Sequence, residues 1–209
     1  MNTSELFSCF GDVIELGFPS WNIDSTGNLL DNHTGWKPYN PRKNIRRFGL
    51  SITSLDGQYS GVPDLDSLLE YNKLNGTNYS EIDFQKRTDI VDQLPQLKDL
   101  LDIFDNSLGR CHFLKLDAGG FFPPHRDNGP KIPSPSFRVI VPLTNCIHNR
   151  WFWIHDGKIL NMIAGNTYCI NTTKEHSIFS FVDNCCMLVL NVLSTEKSLR
   201  AVTNNLKIK

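Results

Sequence analysis

The sequence lacks the features that mark several large classes of protein. Its 209 residues carry a formal net charge of −1, so no basic field favours nucleic acid or an anionic membrane. No apolar run approaches the ~20 residues that a membrane-spanning helix needs. The first residues lack a basic segment followed by a long apolar one, so we expect no signal peptide. We therefore expect a cytoplasmic protein with neither nucleic-acid nor membrane partners.

Closely spaced cysteine pairs are also missing. Six cysteines occur, but none forms a Cys-x-x-Cys motif, and most lie in apolar runs that look like strands. A zinc or redox site is one interpretation. We favour the other, in which the cysteines are buried, reduced thiols that act as small hydrophobic groups. Reduced thiols agree with a cytoplasmic compartment.

The length suits one domain, residues 1–209, built of two parts. The first part, 1–107, supports the second and contains strands, loops and a leucine-rich helix. Its expected elements are a strand at 11–18, an ordered surface loop at 19–44, a strand at 46–53, a short helix at 65–71 and a helix at 92–104. The leucines of the last helix recur at helical spacing, which predicts a face buried on the sheet.

The second part, 108–194, changes to short β-runs separated by turn residues, and a helix at 195–205 follows it. The expected strands are 110–117, 121–126, 136–143, 151–155, 158–162, 167–171, 176–182 and 186–193. Asp156-Gly157 is a strong signal for a two-residue hairpin, and Asp183-Asn184 for a second turn. Eight short strands at this spacing predict a mainly β protein with flanking helices, a double-sheet jelly roll of the cupin type.

One short motif in this region has metal-binding chemistry. His125 and Asp127 are two residues apart, so in an extended strand both side chains point to the same face. His176 begins a later predicted strand and is placed to be a third ligand. Two histidines and one carboxylate form the facial triad that holds Fe(II) with open positions for oxygen chemistry. The other histidines have no matching partners and are interpreted as structural or surface residues: His33, His112, His148 and His155.

Arg138 interrupts the nearly continuous apolar strand FRVIVPL. Because burying an unpaired guanidinium is costly, we expect a carboxylate partner for it. An internal Asp or Glu is one alternative. The other is the distal carboxylate of a bound 2-oxo acid, held by two parallel hydrogen bonds. We favour the second alternative because the predicted metal site is adjacent.

Residues 108–193 resemble the aspartyl/asparaginyl β-hydroxylase-like branch of the Fe(II)/2-oxoglutarate-dependent oxygenases. The segments that carry the resemblance are PPHRD, FRVIVPL, AGNTYCINTTKEHSI and CMLVLNVLS. The resemblance implies a double-stranded β-helix, with His125, Asp127 and His176 as iron ligands and Arg138 as a ligand of the 2-oxoglutarate carboxylate. Vertebrate aspartyl hydroxylases lack the carboxylate ligand that Asp127 provides here. Many relatives also carry a second arginine on the strand after the distal histidine, where this chain has only neutral side chains.

The resemblance predicts a dioxygenase (hydroxylase) that uses Fe(II), 2-oxoglutarate and O2 and hydroxylates an amino acid or an Asp/Asn-type side chain of a peptide or protein. Trp36, Arg46 and Arg47 are the candidates for contacting that substrate. Two alternatives stay open. One is a cupin-like metal-binding protein without oxygenase turnover, and the other is a metal-dependent enzyme of another type on the same barrel.

Overall fold

A computed structural model describes residues 1–127 and 136–207. The helices are α1 (Thr3–Phe10), α2 (Ile23–Asp31), α3 (Leu68–Asn75), α4 (Ile90–Gln93), α5 (Pro95–Ile103) and α6 (Glu196–Asn204). The strands of the first half are β1 (Val13–Leu16), β2 (Lys37–Pro38), β3 (Arg47–Ser51), β4 (Thr53–Ser54) and β5 (Lys86–Arg87). Those of the second half are β6 (Leu108–Leu116), β7 (Phe121–His125), β8 (Ser136–Pro142), β9 (Trp151–His155), β10 (Lys158–Ile159), β11 (Thr167–Ile170), β12 (His176–Ser180) and β13 (Cys185–Leu193).

Two antiparallel sheets face each other. The larger has the strand order β1-β11-β8-β13-β6-β3-β2, and the smaller has the order β10-β9-β12-β7. Strands β6 to β13 cross from one sheet to the other, except at the β9–β10 hairpin, which stays in the smaller sheet. This is the order of a double-stranded β-helix, the jelly roll predicted from the strand spacing. Strands β4 and β5 form a separate two-stranded antiparallel sheet.

The larger sheet is buried on both faces, which explains its nearly continuous apolar strands. On β13, Leu188 and Leu190 face the helices, while Met187 and Val189 face the smaller sheet. The same alternation on β8 puts Val139 on the helix side. Helices α1, α2, α4, α5 and α6 all contribute to the layer that covers the outer face of this sheet. The inner face is therefore the wall of the barrel.

The strand predictions of the second half are confirmed, with shifts of at most three residues at the ends. Asp156 and Gly157 both have positive φ, 47° and 75°, as a two-residue hairpin of the primed type requires. Asn184 has φ 53° in the second predicted turn. The helix after the barrel is also confirmed as α6.

The first half differs from its prediction in four places. The expected surface loop 19–44 contains α2, which begins where the Asn22 side chain accepts the Ser25 N–H and which buries Leu30. Helix α1 was not predicted, although Asn2 and Glu5 form a capping box at its start. The expected single helix at 92–104 is two helices, because Pro95 begins a new one after Leu94 leaves helical geometry. The short helix expected at 65–71 lies at Leu68–Asn75.

The leucine-rich helix packs as predicted, since Leu97, Leu100 and Leu101 are buried. The cysteines are free thiols, and five of the six are buried, with Cys9 exposed. Within the described residues, no helix has the length and apolar character needed to cross a bilayer.

Candidate metal centre and adjoining cavity

The backbone brings the three predicted ligands together at one end of the smaller sheet. β7 ends at His125 and β12 begins at His176, and these two residues are partners in the antiparallel register. Asp127 lies two residues beyond His125, where its N–H donates to the Thr172 carbonyl at 2.9 Å. That bond ties the end of β7 to the turn that precedes His176. The juxtaposition therefore follows from strand pairing.

The side chains of these residues converge. Each offers one ligand atom, and the three atoms lie within 4.8 Å of one another. His125 Nε2 is 3.7 Å from Asp127 Oδ1. The His125 and His176 ring centroids are 4.2 Å apart. Two imidazole nitrogens and one carboxylate oxygen at this separation are a donor set that suits Fe(II) and leaves other coordination positions open.

Backbone carbonyls fix the orientation of both imidazoles. His125 Nδ1 is 2.7 Å from the Pro123 carbonyl oxygen, and His176 Nδ1 is 3.1 Å from that of Lys174. Because a carbonyl oxygen only accepts, Nδ1 carries the proton in each ring and Nε2 keeps its lone pair. Orientation of this kind by an outer partner is typical of metal-binding histidines.

The protonation states also favour metal binding. Burial lowers the pKa of His176 to about 4, so its ring is neutral near pH 7. Burial by itself raises the pKa of Asp127. The positive charge of Arg138, and after it the interactions with His176 and His125, lower this pKa by more, so that it lies below its ordinary value. At neutral pH a neutral imidazole therefore stands beside an ionised carboxylate, the states in which both groups bind metal.

Arg138 has an internal partner. Its Nη2 lies 2.9 Å from Asp127 Oδ2, the oxygen that is not the one near His125. Its Nη1 donates to Asn191 Oδ1 and, at 3.4 Å, to Ser136 Oγ. The carboxylate partner expected from the sequence is thus Asp127, the internal alternative. A contact between Arg138 and a co-substrate stays a prediction.

A second ion pair lines the same cavity. Arg110 Nη2 is 2.7 Å from Glu81 Oε1, and Arg110 Nε is 3.1 Å from that oxygen. Arg110 Nη1 donates to the Asp66 carbonyl at 2.5 Å. Burial raises the pKa of Glu81, but Arg110 dominates and lowers it to about 2. Arg110 and Glu81 thus form an ion pair with several hydrogen bonds, and their opposite charges cancel.

The cavity beside the ligands has a volume of about 90 Å³, enough for several water molecules. Its walls include Tyr39, His112 and Asn191. The sequence predicts a structural or surface role for His112, but the structure places its side chain in the cavity wall. The alternation of Arg110, His112 and Leu114 along β6 puts the three side chains on one face of the strand, but it does not show what that face lines. Glu81 lies in a 3-10 helix, Glu81–Asp83, and no local pattern points to it.

None of the three candidate substrate residues lies in the cavity wall. Trp36 packs against the helix-side core and its indole N–H donates to the Leu30 carbonyl at 2.8 Å. Arg46 is exposed and bonds the Ala118 carbonyl. Arg47 is buried with its guanidinium 4.1 Å from the centre of the Phe122 ring, so it supports the cavity wall from behind. Substrate contact by these residues is a prediction without geometric support.

Neither a protein-family model nor a curated protein matches the sequence. Among solved structures, an oxidoreductase of the 2OG-Fe(II) oxygenase family from Burkholderia pseudomallei is similar over 93% of this chain and 90% of its own, with TM-score 0.50 and 12% identity. An RmlC-like cupin from Shewanella frigidimarina matches 46% of this chain and 73% of its own, with TM-score 0.31 and 14% identity.

A conserved protein of unknown function from Streptococcus pyogenes matches 42% of this chain at TM-score 0.31 and 18% identity. This chain covers 66% of that protein, slightly less than two thirds of its length. Similarity at such low identity establishes the fold alone. The fold is a double-stranded β-helix, and the Burkholderia pseudomallei structure is similar to it over most of both chains. The narrower resemblance to aspartyl/asparaginyl β-hydroxylases stays a prediction.

Proposed function

We propose that this protein is an Fe(II)- and 2-oxoglutarate-dependent dioxygenase. Its substrate in this proposal is an amino acid or an Asp/Asn-type side chain of a peptide or protein. The observation that carries the proposal is the convergence of His125, Asp127 and His176 within 4.8 Å, with Nε2 of both histidines left free by carbonyl bonds to Nδ1. The similarity to an oxidoreductase of the 2OG-Fe(II) oxygenase family from Burkholderia pseudomallei supports the same class of reaction.

The charges of the cavity support an anionic co-substrate. Its wall holds two carboxylates and two guanidinium groups, paired as Asp127 with Arg138 and Glu81 with Arg110. These four charges sum to zero, so a divalent cation bound by the triad leaves a charge of about +2 in a partly desolvated space. A dicarboxylate such as 2-oxoglutarate cancels that charge, whereas a neutral ligand does not.

Each residue of the site has a defined role in this proposal. His125 and His176 hold the metal through Nε2, and Asp127 holds it through Oδ1. Arg138 fixes Asp127 through Oδ2 and places a positive charge beside the cavity. Iron with 2-oxoglutarate and O2 supplies the oxidising power to convert a C–H bond into C–OH, with release of succinate and CO2.

Anaerobic titration with Fe(II) and 2-oxoglutarate tests the proposal. Chelation of the 2-oxo acid to iron gives a weak visible charge-transfer band, and we expect this band in the wild-type protein. Iron binding without the band would favour the cupin-like alternative without oxygenase turnover. Turnover of a substrate in air without 2-oxoglutarate would favour the metal-dependent enzyme of another type.

Arg138→Ala tests the arginine within the same titration. Loss of a charge-assisted contact costs about 1.5–3 kcal/mol, so we expect 2-oxoglutarate to bind roughly 10- to 100-fold more weakly. Fe(II) affinity is measured separately, because this variant also frees Asp127. The matched control is Arg46→Ala, an exposed arginine outside the cavity wall. Unchanged 2-oxoglutarate binding in Arg138→Ala would make the arginine purely structural.

A further inference from the structure

His112 occupies a costly position in the barrel. It lies on β6, is 8% exposed and lines the cavity next to the metal centre. Its Nδ1 is closed off from solvent and has no hydrogen-bond partner among the described residues. Leaving a buried polar group unpaired costs about 1–3 kcal/mol, and an apolar side chain would avoid that cost. The imidazole is therefore unexplained by the stability of the fold.

The electrostatics of the cavity keep this imidazole neutral. Burial lowers the pKa of His112 to about 3, and the nearby charges of Arg110 and Arg138 act in the same direction. A neutral ring carries one proton. Because the enclosed Nδ1 has no acceptor for a proton, the stable tautomer carries it on Nε2, the nitrogen left to meet the contents of the cavity. His112 thus offers a neutral N–H donor.

The surroundings of His112 favour an acceptor as its partner. In the strand register His112 pairs with Val189, and two residues further along β13 Asn191 pairs with Arg138. Asn191 Oδ1 is already used by Arg138, so its amide N–H groups are the part left to donate. The two carboxylates in the wall, Asp127 and Glu81, are each held by an arginine. This side of the cavity is therefore rich in free donors.

A carboxylate is the ligand group that suits such a wall. The strand Cys185–Leu193 carries no charged side chain, so its donors are neutral. On β6 the charge of Arg110 is balanced by Glu81, which leaves His112 as the neutral donor of that strand in the cavity wall. From the candidate metal position, the contacts Asp127–Arg138–Asn191 lead along the barrel wall toward the row that contains His112. A ligand bound to the metal at one end reaches His112 only by extending along this wall.

We propose that His112 is a specificity-determining residue that donates a hydrogen bond to the distal carboxylate of a metal-chelating 2-oxo dicarboxylic acid. This inference rests on the proposed function, because it assigns a subsite to the same co-substrate. Arg138 supplies the charge beside that carboxylate, and His112 supplies a directional neutral donor. It follows that 2-oxo acids without a distal carboxylate gain nothing from His112.

The test compares two ligands on three proteins under anaerobic conditions with Fe(II). The ligands are 2-oxoglutarate and pyruvate, which share the chelating 2-oxo acid group but differ in the distal carboxylate. The proteins are wild type, His112→Leu, which removes the donor at similar volume, and His112→Gln, which restores a neutral N–H. Dissociation constants come from the charge-transfer band or from calorimetry. The control is His33→Leu, a half-buried histidine outside the cavity wall.

We expect His112→Leu to bind 2-oxoglutarate about tenfold more weakly and pyruvate within twofold of wild type, since one hydrogen bond to a charged acceptor is lost. His112→Gln is expected to recover most of the difference. His112→Leu is expected to unfold at or above the wild-type temperature, which separates the effect from misfolding. Equal losses for both ligands, or no loss for either, would overturn the role of His112. Failure of the wild type to bind either ligand would instead overturn the proposed function.

Discussion

Metal binding at the triad predicts a specific gain in thermal stability. A ligand that binds only the folded state stabilises it by about 2.7 kcal/mol at 100 times its dissociation constant. With 209 residues and an unfolding entropy of ~2.1 cal/mol/K per residue, the chain has a total of about 0.44 kcal/mol/K. We therefore expect Fe(II), added anaerobically at that excess, to raise Tm by about 6 °C.

His125→Ala is the variant that tests which residues cause this gain. The side chain is 37% exposed and has one hydrogen bond, to the Pro123 carbonyl. Its removal in the metal-free protein is therefore expected to cost about 1 kcal/mol, or ~2 °C. If the loss of one of the three ligands weakens Fe(II) binding 100-fold, the same Fe(II) concentration is about equal to the dissociation constant of the variant. The metal then contributes only ~0.4 kcal/mol, a gain of about 1 °C.

Differential scanning calorimetry under nitrogen, with and without Fe(II), measures both numbers in one experiment. His148→Ala is the control, because this histidine is exposed and lies outside the cavity wall. The control is expected to keep the full gain of ~6 °C. The triad assignment would be refuted if His125→Ala kept most of the metal-induced gain, or if the wild type showed none.

Two further predictions concern carboxylates outside the triad, the half-buried Glu81 and the buried Asp64. Glu81→Gln leaves the Arg110 guanidinium, 16% exposed, without its counter-charge, and we expect a loss of ~2 kcal/mol, or ~5 °C in Tm. The surface carboxylate control Glu70→Gln is expected to shift Tm by at most ~2 °C, and equal shifts in the two variants would contradict the role of burial. Burial raises the pKa of Asp64 from 3.8 to about 6. Between these two values the folded state holds a proton that the unfolded chain has released. The stability that this group contributes is therefore complete below about pH 4 and is lost as the pH rises through 6. Unfolding curves between pH 4 and pH 7.5 are expected to be flatter for Asp64→Asn than for wild type, and parallel curves would contradict the assignment.

The barrel could be predicted from the sequence because its signals are local. Alternating runs such as Trp151–His155 and turn pairs such as Asp156-Gly157 fix strand ends within a few residues. The prediction of a loop where α2 lies was wrong for a local reason as well. Its polar composition, with Gly27 in the middle, looks like a loop, yet Thr144 lies only 2.6 Å from where a Cβ at Gly27 would be. This close approach between two distant segments requires glycine at position 27, and a local sequence pattern cannot reveal such an approach.

The site could be predicted only where its functional residues are close together in the sequence or mark the start of a strand. His125 and Asp127 are two positions apart, and His176 opens a strand that an antiparallel barrel brings to His125. The grouping of His112, Asn191 and Arg138 depends instead on the register of three strands, in which Asn191 pairs with Arg138 and Val189, two residues away, pairs with His112. Register is a tertiary property, so the place of His112 in the cavity wall could not be derived from its own neighbours alone.

The contacts of Arg138 show why its two interpretations are compatible. A carboxylate has two oxygens, and Asp127 turns Oδ1 toward His125 and Oδ2 toward Arg138. The arginine can thus hold the metal ligand in place without occupying the oxygen that faces the metal. A guanidinium has five N–H donors, and the contacts to Asp127, Asn191 and Ser136 use only part of them. The remaining donors, beside the neutral N–H of His112, are the ones available to a second carboxylate.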